Sequence, residues 1–303
     1  MPESEFHPDL KLGRLIPKFS IGPRLTRFVQ TRKVRPPTPP DDMLIEDVTA
    51  SGVSLRLYRP RSLEGTRPAL LWIHGGGYVI GNPEQDESVS IGFARELGIT
   101  VAAVRYRLAP AHPSPAALED SYAGLLWLVA HAEDRGIDPT RIAIGGASAG
   151  GGLTAALALY AHDRGVVTPA FQLLTYPMLD DRTVLRTDLD TKHVRVWTPG
   201  SNRFGWTSYL GQPPGSDGVS PYAVPARRED LSGLPPAWVG VGSLDLFLDE
   251  DLAYARRLKD SGVPCEVFVV PGAFHGFDAV FGKAAVTREF RAEQTRALRE
   301  ALG

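Results

Sequence analysis

A chain of 303 residues is long enough for two average domains or for one large α/β domain. Its 43% hydrophobic and 22% charged residues are those of a chain that buries a large core, which excludes bulk disorder and a fibrous repeat. With 33 Lys and Arg against 35 Asp and Glu, the net charge of -2 gives no reason to expect nucleic acid or an anionic membrane as partner. The 31 Gly and 26 Pro together exceed the usual share of about 12% and ask for an explanation. A single cysteine, Cys265, excludes a disulfide framework and a thiolate metal site, and suits a reducing compartment. No basic region followed by an apolar run opens the sequence, and no stretch reaches about 18 apolar residues, so a cytoplasmic protein without a transmembrane segment is expected.

The first forty residues carry eight Lys and Arg against three acidic residues and end in the breaker cluster Arg35 to Pro40. Leu12, Leu15, Ile16 and Phe19 fit a helical stripe, and Leu25, Phe28 and Val29 add further apolar surface, so a short helix or two docked on the body is expected. Val53 to Tyr58 alternates with period two, which predicts an antiparallel edge strand. Ala69–Ile73, Thr100–Val104, Arg141–Gly145, Ala170–Thr175, Ala237–Val241 and Glu266–Val270 read as strands, most of them buried on both faces. Between them lie helical patterns near Glu87–Leu97, Ala116–His131, Leu153–His162 and Asp249–Lys259, and a last helix near Lys283–Leu302. Strands alternating with helices predict an α/β fold with a mostly parallel sheet covered on both faces. The stretch from Asp180 to about Leu234 loses this order, and its Trp197, Phe204, Trp206 and Tyr209 suggest either a small core of its own or the lining of a pocket.

Gly146-Ala147-Ser148-Ala149-Gly150 joins a predicted strand to a predicted helix, the setting a nucleophile elbow requires. Glycine at Gly146 and Gly150 leaves room for a turn so tight that a larger side chain would meet the neighbouring strand or helix. His74-Gly75-Gly76-Gly77 follows the strand ending at Ile73; a glycine run lets backbone N–H groups approach a developing oxyanion. Gly76, Gly77 and Ala149 are the expected donors, with His74 and Gly75 supporting the loop.

These two motifs, with the run Tyr106–Pro113 leading to Ala116–Asp120, resemble the hormone-sensitive-lipase-like branch of α/β-hydrolase esterases, the bacterial family IV carboxylesterases. The resemblance runs from about Asp41 to the C-terminal helix. It implies an α/β-hydrolase sheet of about eight strands with a helical cap. The expected division is an N-terminal cap segment over residues 1–45, a core in two parts over 46–179 and 235–303, and a cap insertion over 180–234. Family members carry Asp before the serine where this chain has Ala147, which puts in doubt whatever that carboxylate would orient. The resemblance also implies short- to medium-chain acyl esters as substrates and a possible homodimer through the last strand.

A nucleophilic serine needs a base, and the base an orienting acid. His275 lies in the loop Gly272–Phe277 straight after the last predicted strand, and the chain order Ser, acid, His favours it. His7, His112, His131, His162 and His193 suit surface or capping roles. Asp245 follows the strand ending at Val241; its competitor Asp249, with Glu250 and Asp251 behind it, reads as negative charge at a helix start. No metal-ligand spacing and no nucleotide motif appears, so no cofactor or metal is expected. The expected function is a serine carboxylesterase acting on a small-molecule ester through Ser148, His275 and Asp245. An amide deacetylase or a lactonase could use the same machinery, and a non-catalytic receptor on this fold is a third reading.

Overall fold

The structure, a computed structural model, describes residues 5–31, 38–50 and 52–303. Eight strands form one sheet in the order β1-β2-β4-β3-β5-β6-β7-β8. They are β1 (Met43–Ala50), β2 (Val53–Pro60), β3 (Arg67–Ile73), β4 (Thr100–Val104), β5 (Ile137–Ala147), β6 (Phe171–Thr175), β7 (Ala237–Gly242) and β8 (Cys265–Val270). The β1–β2 and β2–β4 pairs are antiparallel and all others parallel. The helices in chain order are α1 (Pro23–Gln30), α2 (Glu87–Leu97), α3 (Ala116–Ala130), α4 (Ala132–Arg135), α5 (Ala149–Arg164), α6 (Pro199–Leu210), α7 (Leu248–Asp260), α8 (Phe277–Val280) and α9 (Ala285–Leu302). None of the described helices is long and apolar enough to cross a membrane.

The continuous apolar runs of β3, β4, β6 and β7 follow from burial on both faces. Along β6 and β7 alternate residues part: Leu173 and Trp238 pack with Phe290 of α9, whereas Leu174 and Val239 pack with Leu159 of α5 and Leu258 of α7. At roughly 25 cal/mol per Å² of apolar surface, covering both faces is the main source of the core's stability. It also sets the carboxyl ends of β3, β5, β7 and β8 side by side along one rim of the sheet.

Two expectations need correction. The segment Val53–Tyr58 is antiparallel as expected but is not the edge; β1 covers it. In β1, Glu46 pairs with Arg135 and Asp47 with Arg56. The stripe Leu12, Leu15, Ile16, Phe19 was drawn at α-helical spacing, but Pro8–Leu15 is a 3₁₀ helix with three residues per turn. The inward row is therefore Leu10, Gly13 and Ile16, while Leu12, Leu15 and Phe19 face outward. In α1 the buried anchor is Thr26, and Leu25 and Phe28 are exposed. Part of the proline cluster, residues 35–37, lies outside the described residues.

Candidate active site

Ser148 sits at the carboxyl end of β5, in the turn into α5, with φ 59° and ψ -120°. Positive φ in a residue with a Cβ is strained, and the surroundings hold it there: its N–H donates to the Thr175 carbonyl, and its carbonyl accepts from Gly152 and Met178. The glycines explain themselves by contact. A Cβ on Gly146 would meet the Ile73 carbonyl at 2.6 Å, and one on Gly150 would collide with that same carbonyl.

His275 Nε2 lies 2.9 Å from Ser148 Oγ, and its Nδ1 lies 2.9 Å from Asp245 Oδ2 and 3.1 Å from Oδ1. Asp245 Oδ1 also accepts from the Phe247 N–H at 3.0 Å. All three side chains are buried. The acid loop and the histidine loop are laced together: Leu244 N–H donates to Ala273 O, Ser243 N–H to Val270 O, and Gly272 N–H to Ser243 Oγ. That lacing fixes the distance from carboxylate to imidazole. The imidazole itself is walled by Tyr176 and Phe247, whose rings stand edge-on at 4.9 and 5.1 Å. Asp249, by contrast, is exposed and paired with Arg186.

The glycine loop after β3 lies beside the elbow, because β3 and β5 are parallel neighbours with Ile73 opposite Gly146. Among the described residues no backbone hydrogen bond uses the N–H of Gly76 or Gly77. Gly76 has φ +122°, where a Cβ would collide with the Ile80 carbonyl, and Gly77 is covered by the Trp197 ring. His74 is buried and stacked on Tyr106 at 4.2 Å, and Tyr106 donates its hydroxyl to the His74 carbonyl. Burial holds the His74 pKa down at about 4, so its Nδ1–H donates to the Gly75 carbonyl as a neutral ring. This is the anchoring role expected of it.

The roles of four residues escaped the sequence reading. Asp86 accepts from Trp72 Nε1 at 2.9 Å, while Gln85 beside it donates to the Gly75 carbonyl. Together they hold the end of β3 and the glycine loop, and enclosure pushes the Asp86 pKa up to about 6. Glu250 is buried rather than solvated at a helix start: it accepts from Leu179 N–H, Asp180 N–H and the Thr183 hydroxyl, where the chain leaves the core after β6. Asp251 is fully buried with neither carboxylate oxygen partnered. The aromatic residues of the β6–β7 connection form no separate core, since Trp206 and Tyr209 pack on Tyr78 and join the main one. Ala147 lines a cavity of 190 Å³ with Asp86, Asp278 and Arg291 and packs at the margin of the core. Among the described residues no cluster of three or more His, Cys, Asp or Glu is arranged to hold a metal.

A mostly parallel sheet carrying a serine on a strained strand-to-helix turn, with a histidine and an aspartate on the following loops, defines an α/β-hydrolase. Residues 70–279 match a family described as alpha/beta hydrolase fold. The chain belongs to that family, in the hormone-sensitive-lipase-like branch that its motifs resemble. It is 36% identical over 249 residues to carboxylic ester hydrolase LipN of Mycobacterium tuberculosis, covering 79% of this chain and 66% of that protein. Esterase LipI of the same organism is 32% identical over 307 residues, covering 100% of this chain and 86% of LipI. A solved bacterial heroin esterase superposes with a TM-score of 0.88 at 37% identity, over the full length of both chains.

Proposed function

We propose that the chain is a serine carboxylesterase, with the N-terminal segment and the β6–β7 connection as its cap. The observation that carries this is the run of contacts from Asp245 through His275 to Ser148, each step 2.9 Å at its shortest. Ser148 attacks the ester carbonyl as His275 Nε2 takes its proton, and Asp245 holds the imidazole and stabilises its cationic form. The N–H groups of Gly76, Gly77 and Ala149 receive the oxyanion; losing one such donor costs on the order of 10²–10³ in turnover. His275 then protonates the leaving alcohol, and afterwards activates a water that releases the acid from Ser148. The names of the relatives support ester cleavage as the reaction.

Trp197 favours short acyl groups, because it lies on Gly77 with its ring 6.4 Å from that of His275. Hydrolysis of p-nitrophenyl esters of increasing acyl length tests both statements. Turnover concentrated on short and medium chains, and lost in Ser148→Ala, is expected; no turnover of any ester, or a mutant equal to the parent, ends the carboxylesterase reading. Trp197→Ala is expected to move the optimum toward longer chains.

A further inference from the structure

The small net charge conceals a strong separation of charge. From Leu10 to Pro40 the chain carries eight Lys and Arg and no acidic residue, leaving 25 Lys and Arg against 35 Asp and Glu in the remainder. Half of the large hydrophobic side chains exposed on the described surface lie in this same region, among them Leu12, Leu15, Phe19 and Leu25, with Leu15 70% exposed. Lys11, Arg14, Arg24 and Arg27 stand among them, all exposed, and none forms an ion pair among the described residues. These apolar groups face outward in large part, whereas Leu10, Gly13 and Thr26 make the buried inward contacts.

We infer that the face formed by residues 10–31 docks the protein on an anionic lipid surface. Exposed apolar side chains set among cations match a headgroup layer that offers negative charge above hydrocarbon. A symmetric contact between two copies would bring like charges together, which disfavours a second chain as the occupant. The platform is held in place. Its backbone and side chains bond Thr191, Thr198, Ser201, Val79 and Ala109, and His7 just before it bonds Gly272, so little order has to be gained on docking. Those anchors run from the loop that bears His275 to the residues that follow the glycine loop. Docking therefore turns the active-site side of the molecule toward the bilayer, where lipophilic esters are dissolved. That last step rests on the carboxylesterase reading; the docking does not.

Sedimentation of the full chain with sucrose-loaded vesicles tests the inference, using phosphatidylcholine alone and phosphatidylcholine mixed with phosphatidylglycerol. Each basic residue near an anionic surface raises partitioning about fivefold, and each inserted Leu or Phe about tenfold or more. The parent is expected to pellet with the phosphatidylglycerol vesicles, to stay in solution with phosphatidylcholine, and to be released by high salt. Leu15→Glu with Phe19→Glu should lose about 100-fold in partitioning while hydrolysing a soluble short-chain ester like the parent; Lys11→Gln with Arg14→Gln gives a second, milder variant. Ser148→Ala should bind as the parent does, which separates docking from catalysis. The inference is overturned if the parent ignores anionic vesicles, binds both kinds equally, or loses nothing in either double variant. It is equally overturned if sedimentation velocity shows a dimer that the Leu15→Glu, Phe19→Glu variant makes monomeric.

Discussion

In the proposed mechanism His275 has to be uncharged while it accepts the Ser148 proton. Protonation of its Nε2 removes the acceptor from the 2.9 Å contact with Ser148 Oγ. His275→Ala, which removes that acceptor altogether, is therefore expected to lose most of kcat, and a variant equal to the parent would contradict the general-base role. Asp86 acts one step further away, holding Trp72 at the end of β3 beside Gln85, which bonds the Gly75 carbonyl. Truncation in Asp86→Ala leaves Trp72 Nε1 without its partner and so loosens the glycine loop. Because a displacement of about 1 Å can cost 10²-fold, kcat is expected to drop about 10- to 100-fold with KM nearly unchanged. Asp86→Asn keeps a carbonyl acceptor and should recover most of the loss. A change confined to KM would show that Asp86 does not position the loop.

Among the elements, the first turn of α7 joins the acid to the start of the cap. Burial pushes the Glu250 pKa up to about 8 from its ordinary 4.5, and burial together with the charges of Glu250 and Asp245 raises that of Asp251. A carboxyl with a raised pKa in the fold contributes stability below pH 4.5 that is lost as pH rises to about 8. Glu250→Gln resembles the protonated form and escapes that loss, so its melting temperature relative to the parent should climb between those two values. A constant difference across that range would show that Glu250 does not titrate there. The same turn marks a limit of legibility. Asp249, Glu250 and Asp251 look alike in sequence, but only Asp249 is solvated; which of three adjacent acids turns inward depends on the packing of α7 against β7 and β8. Asp86 hides for a similar reason, as an acidic residue in a polar loop. The glycines of the candidate site leave a local print in the sequence: a Cβ at Gly146, Gly150 or Gly76 meets nearby backbone. Two-faced burial also leaves a plain print, and β3, β4, β6 and β7 were readable from it. The 3₁₀ period of Pro8–Leu15 was not, because Leu12, Leu15 and Ile16 satisfy an α-helical spacing equally well.

At the scale of the molecule, the excess of glycine and proline now has a place. Glycines crowd the oxyanion loop and the elbow, and prolines open α1 and α6 and the short turn Pro225–Arg227. The surplus length goes into two segments that meet over the site although they are far apart in the chain. Ser20 bonds Thr198 across 178 residues and Ile21 bonds Ser201 across 180, while Asp9 ties the first segment to α9 by accepting from Val286 across 277. That separation dictates an order of assembly. Such pairs close the largest loops in the chain and return little until β3 to β8 have already brought their ends together. The roof of the active site is then the last part to form on refolding and the first to open. Secondary structure should return ahead of ester hydrolysis after dilution from denaturant, with Tyr78 and Trp206 reaching their native environment only as activity does. Recovery of both signals at one rate would show that roof and sheet assemble together. An enzyme built this way is expected to carry a sheet that outlasts its own competence, falling silent when the long-range contacts open and before the strands part.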